Sequence, residues 1–174
     1  PMILPPSVTG YFLLILLGKR GAIGSILIQT FGFKIIFTWY AAVIAASVVS
    51  LPLMYQNVKA AFLNVDPAYE RAARTLGSSE SKIFWTITFP LAWPGIISGI
   101  VLAFCRAIGE FGATLMVAGN IPGKTQTMPT AIYYAVENGN SAEANVLVLI
   151  MTVFSFVLIL SLNQWLEKHN YLGK

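Results

Sequence analysis

The stretch DPAYERAARTLGSSESKIFWTITFP, residues 66–90, is the most polar part of an otherwise apolar chain. Asp66 can accept hydrogen bonds from the free amides of a first helical turn, and Pro67 fits the first helical position, where an amide has no partner. Gly77 supplies a left-handed end, and the two serines that follow it can begin a second helix. The spacing therefore predicts a short capped helix in a polar loop between two apolar segments.

The composition places the chain in a membrane. Of its 174 residues, 56% are hydrophobic and only 10% are charged, whereas soluble domains carry about 25% charged residues. The net charge of +4 is scattered along the chain and is not interleaved with aromatic residues, so nucleic-acid binding is not indicated. The single cysteine, Cys105, permits no internal disulfide.

We predict one all-α domain over residues 1–174, a polytopic membrane helix bundle with four apolar spans. The expected spans cover about residues 4–18, 35–55, 87–106 (or to 118) and 145–166. A polar loop over residues 56–86 contains the short helix, and residues 19–34 are expected to form another loop. Because the chain opens on Pro1 without an initiator methionine, we expect at least one further helix upstream.

Lysine and arginine are enriched in cytoplasmic loops of membrane proteins. Six of them fall in residues 56–86 and the C-terminal tail, and four fall in the loops of the opposite side. The polar loop with the short helix is therefore predicted to lie in the cytoplasm.

The short helix carries a stripe of small and apolar residues. The residues that share this face at helical spacing are Ala68, Tyr69, Ala72, Ala73 and Leu76. Alanines allow another protein surface to approach closely, and a single aromatic residue can anchor in a pocket. The stripe is equally typical of an interfacial helix lying on lipid headgroups. The residues alone leave both interpretations open.

Arg106 and Glu110 lie four residues apart, so on a helix they share a face. Charges in or near a membrane span are costly and indicate a functional site by default. The pair could hold helices together, or Arg106 could attract an anion in an aqueous path while Glu110 orients it. A buried structural pair accounts for the same spacing. We find no second catalytic group beside Glu110, and we predict no catalytic or metal-binding residue.

Two further segments are informative. Gly95, Gly99 and Ala103 recur at four-residue spacing, which predicts close packing between helices. The polar segment AGNIPGKTQTMPT, residues 118–130, could bind an anion, contact a partner or form a solvated loop. The chain contains no GxxxxGK[ST] loop, so any ATPase that energises transport is expected to be another chain.

Residues 70–77 (ERAARTLG), followed by nine residues and ITFP at 87–90, resemble the EAA loop of ABC importer permeases. That loop is commonly written EAA, three residues, Gly, nine residues and IxLP. Arg71 stands where the pattern has Glu, with Glu70 one place earlier, and Phe89 replaces Leu. The stretches GEFGAT (109–114) and AGNIPGKTQT (118–127) are similar to the permease subunits of molybdate importers, within the molybdate, tungstate and sulfate group.

The resemblance implies a multi-pass permease subunit in the prokaryotic inner membrane that imports molybdate or a related oxyanion by alternating access. It implies a homodimer, two cytoplasmic ATPase subunits and an extracytoplasmic oxyanion-binding protein, with membrane lipid around the spans. ATP and Mg are expected on the ATPase, and no cofactor is expected on this chain. Alternatives are a tungstate or sulfate/thiosulfate permease and, from another class, an ATP-independent channel or secondary transporter.

The resemblance also implies roles for particular residues. Those expected to couple to the ATPase are Asp66, Tyr69, Glu70, Arg71, Ala72, Ala73, Leu76, Gly77 and Ser78. Those expected to line the path or gate are Arg106, Glu110, Phe111 and Thr114.

Overall fold

The computed structural model describes residues 4–170, with side chains through residue 167, and contains no strand within that range. Its α-helices are Pro6–Leu17 (α1), Ala22–Phe31 (α2), Trp39–Leu63 (α3), Pro67–Thr75 (α4), Glu80–Ile83 (α5), Phe89–Ile108 (α6), Gly112–Ala118 (α7), Met128–Glu137 (α8) and Ser141–Asn170 (α9). A π-helical turn, Phe84–Thr88, joins α5 to α6 without a break.

Three described helices are long and apolar enough to cross a membrane: Trp39–Leu63, Glu80–Ile108 and Ser141–Glu167. The pair formed by α1 and α2, bent by 42°, would count as a fourth crossing if it acts as one broken span. The predicted all-α class of polytopic membrane protein is thus confirmed. That residues 1–174 form a single domain stays a prediction.

Several expected boundaries are wrong. Residues 22–31, expected to lie in a loop, form helix α2, and the residue that follows it, Gly32, caps the helix in a left-handed conformation. The second span continues through Pro52 to Leu63, and the third begins at Glu80, so most of residues 56–86 are helical. A 25-residue helix is about 37 Å long, more than the roughly 30 Å hydrocarbon core, so α3 can extend its polar end beyond the bilayer.

The described residues fall into two compact units, 4–52 with 104–157 and 53–103 with 158–170. The first unit has an alanine-rich core drawn from α1, the start of α3, α7 and Ile35. One close helix contact of this unit is at Gly10 of α1, where a β-carbon would stand 2.8 Å from the Cα of Ala113. The absence of a side chain at Gly10 therefore allows α1 to approach α7.

The second unit has a core in which Ala61 of α3 packs with Ala92 and Ile96 of α6. A β-carbon at Gly95 would stand 2.6 Å from the Cβ of Ala61, and one at Gly99 would stand 2.7 Å from the Cβ of Asn57. The predicted small-residue face on α6 is thus confirmed as a close-packing face, and its partner is α3.

Gly99→Leu should destabilise this packing because the added side chain has no space against α3. Overpacking of this kind costs about 1–3 kcal/mol. The measurement is the thermal unfolding of the purified protein in detergent, with the exposed neighbour Ile100→Leu as the control. A melting temperature that is equal in the two variants would contradict the close contact between α3 and α6.

Candidate functional site

The short helix α4 is delimited by the predicted caps. The Asp66 carboxylate accepts a hydrogen bond from the Ala68 amide at 2.8 Å, and Pro67 occupies the first turn. At the other end Gly77 is left-handed, with φ of 79°, and its amide donates to the Arg74 carbonyl. The Ser78 amide closes the end by donating to the Ala73 carbonyl at 3.1 Å. Both caps are therefore confirmed.

One face of α4 is exposed and partly apolar. Tyr69 is 58% exposed, Leu76 is 85% exposed, and Ala72 lies between them on the surface. Ala73 was expected on the same face, but it is buried. At 100° per residue Ala73 lies at the edge of the stripe, on the side of Glu70 and away from Ala72. The exposed apolar surface of α4 is therefore narrower than the sequence stripe.

The charged side of α4 contacts the helices that follow it. The Arg74 guanidinium donates to both carboxylate oxygens of Glu80, at 2.6 Å from Nε and 3.0 Å from Nη2. Its Nη2 also lies 3.4 Å from Glu70 Oε2. Glu70 Oε1 in turn accepts a hydrogen bond from the Thr88 hydroxyl at 2.8 Å. The hydrogen bonds with Glu80 raise the pKa of Arg74 further above its already high ordinary value.

Arg71, which occupies the glutamate position of the EAA pattern, is exposed. It forms no ion pair among the described residues, and its carbonyl accepts a hydrogen bond from the Thr75 hydroxyl. The side chain of Arg71 is thus available to a partner surface. Glu70, one place earlier, is already engaged within the chain.

The second cluster of expected site residues lies where α6 ends and α7 begins. Arg106 Nη1 is 2.8 Å from Glu110 Oε2, and the Glu110 side chain is 1% exposed while that of Arg106 is 38% exposed. The pairing was anticipated from the four-residue spacing, but α6 ends at Ile108 and Glu110 lies in the break. The pair therefore joins the last turn of α6 to the residues that begin α7.

Glu110 also organises the start of α7. Its Oε1 accepts a hydrogen bond from the Ala113 amide at 2.9 Å, which satisfies a free donor of the first helical turn. The Thr114 hydroxyl is buried and donates to the backbone carbonyls of Glu110 and Phe111. The Phe111 ring lies 5.2 Å from that of Tyr133 in α8, measured between centroids. The four residues expected to line a path or gate are thus neighbours around this break.

The polar segment 118–130 folds on itself. The Thr125 hydroxyl accepts a hydrogen bond from the Ile121 amide, and Thr127 and Thr130 form a capping box at the start of α8. Asn120 Oδ1 is buried and meets no partner among the described residues. Among all the residues that the structure describes, no group of three or more histidine, cysteine, aspartate and glutamate side chains could hold a metal ion.

A cavity of about 350 Å³, which the sequence did not indicate, is lined by the end of α1, Ile28 of α2 and residues 34–37. Its walls are mainly leucine and isoleucine, with Lys19, Lys34 and Phe37 among the lining residues. Phe37 has a φ of 61°, which is uncommon for a non-glycine residue, and its amide donates to the Val117 carbonyl. The lining residues come from separate segments of the chain, so no local sequence pattern predicts the cavity.

Membrane-length helices that flank a short, capped and partly exposed helix define a multi-pass membrane protein. The chain belongs to the family described as binding-protein-dependent transport system inner membrane component, whose model matches residues 1–169. It is therefore a multi-pass permease subunit of the inner membrane and a component of a transport complex, and its family is not one of enzymes. The resemblance to ABC importer permeases drawn from the EAA loop is confirmed.

Individual relatives are similar over most of the chain. A putative molybdenum transport system permease protein, YvgM, of Bacillus subtilis is 48% identical over 164 residues, which is 94% of this chain and 72% of the relative. The molybdenum transport system permease protein ModB of Escherichia coli is 44% identical over 168 residues, covering 97% and 73%. A probable sulfate transport system permease protein, cysT, of Chlorokybus atmophyticus is 34% identical over 163 residues, covering 94% and 57%.

Proposed function

We propose that this chain is the membrane-spanning permease subunit of an ATP-driven importer for molybdate or a related tetrahedral oxyanion. The observation that carries the substrate assignment is the 48% and 44% identity to permeases named for molybdenum transport. The 34% identity to a permease named for sulfate transport supports sulfate as the second candidate, with tungstate in the same chemical class.

The complex that we propose contains two copies of this chain, two cytoplasmic ATPase subunits and an extracytoplasmic oxyanion-binding protein. ATP and Mg would be held by the ATPase, since this chain has no phosphate-binding loop motif. The exposed face of α4, with Tyr69, Ala72 and Leu76, is the proposed ATPase contact. Its narrow apolar surface suits a pocket on a protein partner, because a large aromatic and a large aliphatic side chain can both be buried there.

Transport would follow alternating access. ATP-driven closure of the ATPase subunits brings the two α4 helices together and opens the path toward the binding protein, and hydrolysis resets it. The residues at the break after α6 are proposed to line the path or its gate, with Arg106 as the cation whose side chain remains partly exposed. Weak attraction is enough there, since tight binding would slow release of the anion.

Uptake of radiolabelled molybdate tests the substrate assignment. Cells that lack this chain should lose high-affinity uptake, and a plasmid copy should restore it. Excess unlabelled tungstate should compete because its size and charge match those of molybdate, whereas sulfate should compete poorly. Restored uptake of radiolabelled sulfate without molybdate uptake would replace the molybdate assignment with the second candidate.

A further inference from the structure

The Glu70 carboxylate forms its contacts with residues of its own chain. Its Oε1 accepts the Thr88 hydroxyl at 2.8 Å across 18 residues of sequence, and its Oε2 faces Arg74 on the next helical turn. Both carboxylate oxygens therefore have partners within the second unit. A carboxylate used in this way is poorly placed to contact another subunit, although its position in the EAA loop suggested that role.

Arg74 makes the second connection between α4 and the helix that follows it. It forms a bidentate pair with Glu80, the first residue of α5, while its Nη2 also faces Glu70. Helix α4 is thus joined to the following helix at two places, the beginning of α5 and the end of the π-helical turn. These two places are eight residues apart on one continuous membrane-length helix, Glu80–Ile108. Two separated attachments restrain both the position and the rotation of α4 against that helix.

Thr88 differs from the other threonine in the same turn. The Thr86 hydroxyl donates to the Lys82 carbonyl of its own helix at 2.6 Å, which is the usual local arrangement. The Thr88 hydroxyl instead donates to Glu70 on another helix. Thr88 is the last residue of the π-helical turn, a type of irregularity that is frequent at functional sites. The hydrogen bond therefore ties α4 to the irregular entry of the membrane helix.

We propose that Glu70, Arg74 and Thr88 form a positioning clamp, which makes α4 move as one piece with the membrane helix that begins at Glu80. When the ATPase displaces α4, the clamp carries that displacement into the start of the span. Glu70 is then a positioning residue that acts within this chain, and the ATPase contacts the opposite, exposed face of α4. The clamp rests on the proposed function, because it needs an ATPase that moves α4.

The test replaces Thr88 by Val, which keeps the shape of the side chain and removes its donor. The complete importer is purified, reconstituted in proteoliposomes with its binding protein, and assayed for ATP hydrolysis and for molybdate uptake. We expect the ATPase subunit to co-purify with Thr88→Val as with the wild type. Uptake per ATP hydrolysed should fall about tenfold, the loss expected when one hydrogen bond to a charged group is removed. Thr88→Ser should restore it.

Thr86→Val is the matched control, because it removes a hydroxyl that bonds within its own helix. It should leave uptake per ATP unchanged. Equal uptake per ATP for Thr88→Val and Thr86→Val would overturn the clamp.

Loss of ATPase co-purification in Thr88→Val would also overturn the clamp, by making this end of α4 a docking contact. A failure of the proposed function gives a different result, since no ATPase would then co-purify with the wild type. If Thr88→Val does not accumulate in the membrane, Thr88→Ala provides the same comparison with Thr88→Ser. The clamp fails if Thr88→Ala transports as efficiently per ATP as the serine variant.

Discussion

Leu76→Asp should abolish assembly of the importer with its ATPase and, with it, transport. Leu76 is 85% exposed at the end of α4, so nothing in the described part of its own chain requires this apolar side chain. In the proposed complex it enters a pocket on the ATPase. A carboxylate there would lose the apolar contact and be desolvated without a partner, which costs about 2 kcal/mol or more and weakens binding at least about thirtyfold. The measurement is co-purification of the ATPase from membranes.

Thr75→Asp is the matched control for this prediction. Thr75 is the exposed neighbour of Leu76, but it lies 100° away on the helix and outside the face formed by Tyr69, Ala72 and Leu76. Both variants introduce the same charge near the same helix end, so any general electrostatic effect appears in both. Loss of the ATPase in both variants, or in neither, would contradict docking through the face of Leu76, Ala72 and Tyr69.

Arg106→Ala should both destabilise the chain and reduce transport. It leaves the Glu110 carboxylate, whose side chain is 1% exposed, without its ion-pair partner. Loss of this partner costs about 1–3 kcal/mol, less than for a fully buried pair, because Arg106 is partly exposed and Glu110 keeps the hydrogen bond from the Ala113 amide. The expected results are a lower melting temperature in detergent and molybdate uptake below about a tenth of the wild-type rate, the size of loss that 1.4 kcal/mol produces. ATPase co-purification should persist in the protein that folds.

The double variant Arg106→Ala with Glu110→Gln separates stability from transport. Glutamine carries no charge, and its Oε1 can still accept the Ala113 amide that Glu110 accepts. The double variant should therefore regain most of the lost stability. If uptake stays low after stability is restored, Arg106 acts on the anion path. If uptake recovers together with stability, the pair serves packing alone.

The helix-capping residues in the sequence were enough to predict where α4 begins and ends. Asp66, Pro67 and Gly77 determine its ends through their own amides, oxygens and backbone angles, so both caps can be located from the sequence. The small-residue face on α6 could also be predicted from the sequence, because the four-residue recurrence of Gly95 and Gly99 in an apolar helix is typical of close helix packing. Features that depend on neighbouring residues in the chain were predictable.

Features that depend on contacts between residues far apart in the sequence were not predictable from the sequence. The Glu70–Thr88 hydrogen bond joins positions 18 residues apart, and no periodicity in the sequence relates them. Ala73 lies at the edge of the stripe, and its burial depends on how α4 packs. The break between α6 and α7 at residues 109–111 was also not predicted. The four-residue spacing of Arg106 and Glu110 is what an unbroken helix would produce, so the spacing gives no sign of the break. Helix α2 was missed because a ten-residue apolar stretch between glycines and lysines is too short to read as a span.

ATP-dependent transport of molybdate against its concentration gradient tests the proposed transport function most directly. The reconstituted importer, with binding protein inside the proteoliposomes and ATP supplied to the ATPase outside, places the extracytoplasmic side in the lumen. Molybdate loaded in the lumen should therefore be moved outward against its concentration gradient when ATP and Mg are added, and a non-hydrolysable ATP analogue should not support this movement. Flux that runs only down the gradient and is unchanged by ATP would contradict the proposed function and make the chain a channel or secondary transporter.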